Sequence, residues 1–172
     1  MPATPEDLFT YLDELKIETS TVTHPPLHTV EESKALRGDL PGAHIKNLFL
    51  KDKKGRLFLL TCLENRTVNM KTLDKAIGSA RLSFGKPELL WETLGVRPGA
   101  VTPFSLINDR GVDKKVTFAI DAALKESDLI HAHPLHNEAT TAISSEGLTE
   151  FIRACGHTAV LVNFDAQDES AE

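Results

Sequence analysis

Residues 44–63 read HIKNLFLKDKKGRLFLLTCL, and their pattern is the clearest local indication of the fold. Two apolar runs, His44 to Lys51 and Arg56 to Leu63, lie on either side of the polar tetrapeptide Asp52-Lys53-Lys54-Gly55. A short polar turn that contains glycine between two apolar runs is typical of a β-hairpin. We therefore expect two antiparallel strands joined by a tight turn.

Capping residues mark helices outside the hairpin. Thr4 precedes Pro5 and two acidic residues, while Gly78 and Gly95 each follow an apolar helical pattern, as expected at helix ends. The predicted helices span Pro5 to about Lys16, Thr29 to about Arg37, Asn69 to Ile77, Lys86 to Leu94 and Ser145 to Ala154. Further strands are predicted for Glu18 to Thr23, Leu106-Ile107, Val116 to Ile120, Leu129 to Ala132 and Thr158 to Phe164.

The order of these elements indicates the fold class. Helices and strands mix without a strict βαβ alternation, and the sequence has no internal repeat and no Gly/Ser-rich linker. This pattern predicts one α+β domain, residues 1–165, built on a mixed, mainly antiparallel sheet with flanking helices. Residues 166–172 are acidic and polar, and we expect them to fray.

The charge is unevenly distributed along the chain. The net charge is −6, yet residues 45–97 hold eleven basic and five acidic residues, a balance of +6, and the remainder holds eight basic and twenty acidic residues. A basic face on an acidic protein suits brief contact with a small part of a nucleic acid. A set of solvated lysines gives the same pattern, so charge alone leaves both interpretations open.

Other features of the sequence bear on the cellular compartment of the protein and on the presence of a cofactor. The N-terminus lacks a basic segment followed by an apolar one, and no 18 apolar residues run together, which favours a cytoplasmic protein without membrane contact. Cys62 and Cys155 do not form a C-x-x-C pair, so we expect two reduced, structural thiols. The common hydrolase, protease and nucleotide-binding motifs are absent.

The first candidate segment lies in the hairpin, where Lys46 and Asn47 interrupt an apolar strand. A partly enclosed ammonium needs an anion or another acceptor, because an unpaired buried charge is costly. A substrate phosphate or ribose would satisfy Lys46, and so would an internal salt bridge.

The second candidate segment is Gly99-Ala100-Val101-Thr102-Pro103, which follows a predicted helix. Gly99 permits a backbone conformation that other residues resist, and Pro103 fixes the exit of the loop. Consecutive N–H groups of such a loop can bind one oxyanion and so stabilise ester cleavage. Most loops of this composition are only turns.

The third candidate segment runs from His131 to Asn137 and contains His133 and His136. Three histidines in six residues could ligate zinc, although Pro134 breaks the strand and no carboxylate or thiol ligand is paired with them. The alternative is the wall of a substrate pocket, in which His133 and Asn137 form hydrogen bonds.

Taken together, the three segments resemble the trans-editing family that is related to the insertion domain of bacterial prolyl-tRNA synthetase. The resemblance runs from the first helix to about Phe164. Within the family, the segment His133-Pro134-Leu135-His136-Asn137 is more similar to the alanyl-tRNA(Pro) deacylases of the ProX type than to the cysteinyl-tRNA(Pro) deacylases of the YbaK type.

The resemblance implies a metal-free and cofactor-free editing domain that acts on the acceptor end of proline tRNA charged with a small amino acid, with no DNA partner. It implies that Lys46 engages the terminal adenosine, that the loop of Gly99, Ala100, Val101 and Thr102 holds the scissile carbonyl, and that His133 lines the pocket. Asn47, Pro103 and Asn137 are expected to bind substrate. His136 occupies a variable position of the motif and receives no role.

Two other functions remain open from the residues alone. The basic face could bind nucleic acid or a peptide without turnover, or His131, His133 and His136 could form the centre of a metal-dependent hydrolase. Multiple-turnover hydrolysis of aminoacyl-tRNA distinguishes the enzyme from the binding module, and stoichiometric zinc would favour the metalloenzyme.

Overall fold

The computed structural model describes residues 2–25 and 42–164. Its helices are α1 (Pro5–Glu14), α2 (Met70–Ile77), α3 (Pro87–Leu94) and α4 (Ser145–Ala154). Its strands are β1 (Thr19–Thr23), β2 (Ala43–Asp52), β3 (Leu57–Leu63), β4 (Leu82–Phe84), β5 (Val116–Asp121), β6 (Leu129–Ala132), β7 (Ala139–Ser144) and β8 (Val160–Val162). Two 3-10 helices span Pro103–Asn108 and Ala122–Glu126. The predicted helix from Thr29 to Arg37 and the acidic tail lie outside the described residues.

The predicted hairpin is present. β2 and β3 pair antiparallel from Ile45 opposite Leu63 to Lys51 opposite Leu57. The turn is held by the buried Asp52 carboxylate, which accepts hydrogen bonds from the N–H groups of Lys54 and Arg56 and from Arg56 Nε. This carboxylate also accepts from the N–H of Ala80, so it ties the turn to the segment before β4.

The hairpin occupies the middle of an eight-stranded sheet with the order β1-β7-β6-β2-β3-β5-β8, and β4 pairs with β2. Within the described residues, four of the seven strand pairings are antiparallel, and β6 with β2, β3 with β5 and β5 with β8 are parallel. The predicted α+β fold with a mixed, mainly antiparallel sheet is confirmed. The parallel pairings join segments that are far apart in sequence.

Each face of the sheet carries its own apolar core. The larger core packs one face of the sheet against α1, α3 and α4 through Leu8, Leu94 and Phe151. The smaller core packs the other face against α2, where Leu73 contacts a group that includes Leu50. Alternate residues of a strand point to opposite faces, so each residue of β2 contributes to one core only.

The predicted caps are confirmed where the structure describes them. Thr4 and Asp7 form a capping box at the start of α1, and Gly78 and Gly95 end α2 and α3 in the left-handed conformation. α1 ends at Glu14, two residues before the predicted end.

Three predictions of secondary structure were wrong or missing. Leu106 and Ile107 lie in a 3-10 helix and not in a strand, because Pro103 begins a helical turn that the Thr102 hydroxyl caps through the N–H of Phe104. β4 is an unpredicted strand of three residues. β7 is also unpredicted, since its small and hydroxylated residues carry little apolar signal.

Both cysteines are buried and unbridged, as predicted for structural thiols. Burial raises the pKa of Cys62 to about 11 and that of Cys155 to about 12. Of the helices that the structure describes, none has the length and apolar character needed to cross a membrane.

Candidate active site

Among the described residues, a gap in the strand pairing, called the opening below, lies beside Lys46 and Asn47. β2 and β6 pair only at Ala43 with Ile130 and at His44 with His131. The same edge of β2 next meets β4, which pairs from Leu50 onward. Between these pairings, residues 45–48 of β2 have no strand partner on this edge among the described residues. The two parallel strands therefore diverge where β2 reaches Lys46 and the chain after β6 reaches His133.

The direction of the main-chain groups shows what β2 presents to this opening. His44 O accepts from the N–H of Glu64 on the β3 edge at 2.9 Å, whereas Phe49 O accepts from the N–H of Gly85 on the β4 edge at 2.9 Å. Because successive residues of a strand direct their peptide groups to alternate edges, Asn47 directs its N–H and C=O towards the opening.

The side chains of Lys46 and Asn47 leave β2 on opposite faces. Asn47 Oδ1 accepts a hydrogen bond from Thr61 Oγ1 at 2.6 Å on the face of the larger core. Lys46 lies opposite Cys62 on the other face, where its ammonium donates to the carbonyl of Arg66. The structure thus places these two predicted site residues on either side of one strand.

The acceptor of the Lys46 ammonium belongs to a well-anchored segment. Arg66 Nε lies 2.9 Å from Asp121 Oδ2, and the same oxygen accepts from the N–H of Leu63. Asp121 is fully buried, so this ion pair holds the chain after β3 against β5. Lys46 is half-buried and uses one of its three donor positions on this segment.

The second predicted segment begins with a type II turn. Arg97 O accepts from the N–H of Ala100 at 3.0 Å, with Pro98 and Gly99 at the two central positions. Gly99 has a φ of 91°, which a residue with a Cβ resists. Ala100 N–H is therefore used within the turn. The N–H groups of Val101 and Thr102 have no acceptor among the residues that the structure describes.

The third predicted segment holds His133 in one tautomer. His133 Nδ1 is 2.9 Å from the carbonyl of Ala139, and because a carbonyl only accepts, Nδ1 carries the proton. Burial lowers the pKa of His133, and nearby His24 and His136 act in the same direction, while the bond to Ala139 opposes them. The neutral ring therefore keeps a lone pair on Nε2, which bonds to no other described residue.

His24 lies beside His133, although it belongs to none of the three candidate segments. Its ring centroid lies 6.2 Å from that of His133, and its Nε2 lies 2.8 Å from Thr140 Oγ1. Its main-chain N–H also donates to the carbonyl of Glu138, which fixes the end of β1 to the loop before β7. The available signal was a second His-Pro pair, His24-Pro25, at the end of a predicted strand.

The Gly99 turn and the loop of residues 133–138 meet directly. A Cβ on Gly99 would lie 3.7 Å from Asn137 Nδ2. Leu135, between His133 and Asn137, has a φ of 73°, an uncommon backbone conformation for leucine. The structure therefore brings Gly99 next to Asn137, in the loop that follows β6.

The three histidines of the motif bind different partners. The ring of His131 stacks on His44 at 4.8 Å, whereas His136 Nδ1 accepts from the N–H of Glu138 at 3.1 Å. Within the described ranges, no group of three side chains of the types that ligate metals comes together. Each of the three rings therefore contacts a different group of the protein.

Comparison with known proteins identifies the family. The model of the aminoacyl-tRNA editing domain matches residues 24–151. Prolyl-tRNA synthetase associated domain-containing protein 1 of Mus musculus is 40% identical over 159 residues, which cover 90% of this chain and 92% of the relative. Prolyl-tRNA editing protein ProX of Acetoanaerobium sticklandii is 36% identical over 148 residues, with coverage of 86% and 89%.

A solved structure described as a candidate trans-editing enzyme for prolyl tRNA synthetase has the same fold. Its TM-score is 0.67 at 17% identity, and the match covers 95% of this chain and 98% of the other. Together with the sequence matches, this shows that the chain belongs to the aminoacyl-tRNA editing domain family.

Proposed function

We propose that this protein hydrolyses the ester bond of mischarged alanyl-tRNA(Pro). The observation that carries the proposal is the meeting of the Gly99 turn with Asn137 beside the open edge of β2. A relative that is 36% identical is named a prolyl-tRNA editing protein, which supports proline tRNA as the substrate. The proposed reaction needs no cofactor.

An aminoacyl ester is already activated, so the protein has mainly to fix it, position a water and stabilise the oxyanion. The N–H groups of Val101 and Thr102 are the proposed oxyanion donors, because Ala100 N–H already donates to Arg97 O. Thr102 is fully buried and caps a 3-10 helix, so its main chain is held in place. Such prearranged donors lose little freedom when the reaction occurs.

Lys46 and Asn47 would contact different parts of the substrate, because their side chains lie on opposite faces of β2. We assign Lys46 to the phosphate or ribose of the terminal nucleotide, since its ammonium has two donor positions beyond the bond to Arg66. The peptide group of Asn47 at the open edge would hold the substrate within the opening. The vicinal ribose hydroxyl would then help to place the attacking water.

His133 is proposed to face the amino acid. In its neutral form, Nε2 can accept a hydrogen bond from the ammonium group of the aminoacyl ester. A lowered pKa suits this task, because a protonated ring would repel that ammonium. Asn137 and Pro103 complete the proposed pocket wall.

Selection of alanine would rest on exclusion. A methyl group contributes only about 0.8 kcal/mol on burial, so attraction alone does not select it. A wall made of the His133 ring and stiffened by Pro134, which is buried, would reject larger side chains, since overpacking costs about 1 to 3 kcal/mol. The cognate prolyl ester would then be spared.

The test is a deacylation assay on proline tRNA charged in turn with alanine, cysteine, serine and proline. We expect rapid multiple turnover on the alanyl ester and almost none on the prolyl ester. His133→Ala should slow alanine release and widen the accepted size, while His136→Ala, a change in the same loop, should do neither. Preference for the cysteinyl ester would reject alanine specificity, and RNA binding without turnover would reject the enzyme.

A further inference from the structure

A stacked pair of side chains lies next to the Gly99 turn and takes no part in the chemistry above. Arg97 Cζ is 4.1 Å from the centroid of the Trp91 ring. Trp91 belongs to α3 and is 39% exposed, and Arg97 is exposed as well. The Trp91–Arg97 pair therefore forms an aromatic and cationic surface that solvent reaches.

The guanidinium of this pair has no other partner in the described part of the chain. Arg56 and Arg66 each use Nε on a buried carboxylate, whereas Arg97 makes no hydrogen bond and no ion pair with the described residues. A guanidinium carries five N–H donors in one plane and binds phosphate through two of them at once. Stacked on Trp91, the Arg97 guanidinium keeps these donors open.

The pair is also close to the proposed reaction centre. The carbonyl of Arg97 closes the turn that contains Gly99. Consecutive Cα atoms are about 3.8 Å apart, so the Cα atoms of Arg97 and Gly99 are separated by no more than about 7.6 Å. The main chain of Arg97 therefore lies within one nucleotide length of a 3′ end bound at the Gly99 turn.

We propose that the Trp91–Arg97 pair binds the single-stranded 3′ end of the tRNA. Arg97 holds a backbone phosphate, and the exposed part of the stacked pair receives an adjoining base. This inference rests on the proposed function for its RNA ligand, and it adds a nucleotide contact outside the ester-binding pocket. Stacking of this kind tolerates any base, which suits a strand end common to all tRNAs.

Neighbouring charges limit the strength of this contact. Glu88 and Glu92 lie on the exposed part of α3 and repel phosphate. The pair thus contributes one local contact within a larger RNA surface. We expect its loss to weaken binding without abolishing it.

Trp91 gives a direct test, because it is the single tryptophan of the chain. Titration with uncharged proline tRNA should change the intrinsic tryptophan fluorescence. The same transcript without its single-stranded 3′ end should leave the emission unchanged. This measurement requires no deacylation.

Variants of Arg97 test the phosphate contact. Arg97→Ala should raise the Kd for uncharged tRNA about tenfold and reduce the slope of log Kd against log salt by about one. Arg97→Lys should recover only part of the affinity, because lysine keeps the charge and loses the plane. The matched control is Arg110→Ala, since Arg110 stacks on Tyr11 at 5.0 Å outside the two site loops, and this change should leave the Kd unaltered.

Two results would overturn the inference: tRNA that binds by filter retention without changing Trp91 emission, or an Arg97→Ala Kd equal to that of the wild type. A failure of tRNA to bind at all would overturn it together with the proposed function. A Trp91 response without any deacylation would support this contact and reject the enzyme. Thermal melting of each variant checks that it folds.

Discussion

At the scale of single residues, the ammonium of Lys46 donates to the carbonyl of Arg66 and lies on the face of β2 away from Asn47. If it holds the terminal nucleotide, Lys46→Ala should lower kcat/KM about 10- to 100-fold, because a charged hydrogen bond contributes about 1.5 to 3 kcal/mol. The melting temperature should change little, since only one main-chain contact is lost. Deacylation kinetics and calorimetry measure the two effects.

Lys51→Ala is the matched control for this change. Lys51 lies on the same strand, is exposed and pairs opposite Ser83 at the far end of the opening. Lys51→Ala removes the same charge as Lys46→Ala. It should leave unchanged the hydrolysis of a short aminoacyl ester, which lacks the body of the tRNA. Near-normal turnover in Lys46→Ala would make Lys46 a structural lysine.

The lowered pKa of His133 predicts a pH effect on both rate and stability. The ring is neutral above its folded pKa, which burial places below the ordinary value of 6.5. The contribution of the neutral His133 ring to the free energy of unfolding is therefore fully present above pH 6.5 and is lost as the pH falls through the folded pKa. The acid limb of kcat/KM should likewise have its midpoint below pH 6.5.

His133→Gln tests the origin of this limb, because glutamine does not titrate. The variant should lose the limb while the wild type keeps it, in a pH series that includes circular dichroism as a check on folding. An acid limb with its midpoint above 6.5, or the same limb in the variant, would assign the titration to another group.

At the scale of elements, the type II turn at Gly99 predicts that one substitution lowers the deacylation rate much more than it lowers the stability of the fold. Gly99→Ala should cost about 1 kcal/mol in stability, because a Cβ disfavours a φ of 91°. The new methyl group meets only Asn137 Nδ2, at 3.7 Å. Deacylation should fall by at least about tenfold, since loss of one aligned oxyanion donor costs about 100- to 1,000-fold in known cases.

Gly55→Ala separates the backbone effect from the site effect. Gly55 has a φ of 84° in the hairpin turn, and a Cβ there would meet no atom within 4 Å. The two variants should lose similar stability, yet only Gly99→Ala should lose activity. Equal activity in the two variants would show that the Gly99 segment is a turn with no catalytic role.

The same elements show which parts of the fold can be predicted from the sequence. The hairpin, the caps of α1 and the glycine ends of α2 and α3 could be predicted because each depends on neighbouring residues. The pairings of β3 with β5 and of β5 with β8 join distant segments, and no local pattern encodes them. β4 was missed because three residues are too few for a periodic signal.

The contacts of the candidate site residues show the same limit. Residue types and spacing identify Lys46, Gly99 and His133 as candidates, but only the register of β2 shows that Lys46 and Asn47 point to opposite faces. The use of Ala100 N–H by Arg97 O depends on the detailed turn geometry, which the residue types do not specify. His24 approaches His133 only because β1 pairs with β7.

At the scale of the whole molecule, four of the eleven basic residues in the 45–97 segment share one groove. Lys51, Lys53, Arg81 and Lys86 line a groove of about 700 Å³ between β4 and α3, with Glu88 and Glu92 among its other residues. Phosphate contacts release counterions, so kcat/KM on full-length tRNA should fall steeply as salt rises from about 50 to 200 mM. Hydrolysis of a short aminoacyl ester should stay nearly constant over the same range, and equal slopes would contradict an RNA-binding surface.

The different partners of His131, His133 and His136 lead to a further prediction for the protein as purified. Prolonged treatment with EDTA should leave turnover unchanged, because these rings have separate partners. Metal analysis before and after treatment provides the control. Activity that disappears with EDTA and returns with added zinc would establish a metal-dependent mechanism.

The two buried thiols have a practical consequence for chemical labelling. Alkylating reagents attack thiolates, and a thiol with a pKa of about 11, such as Cys62, is ionised in about one molecule in ten thousand at pH 7. Cys155 is ionised still less. One cysteine introduced on the surface would therefore take up a dye or a crosslinker alone, and the protein could be attached at a chosen point with its native core intact.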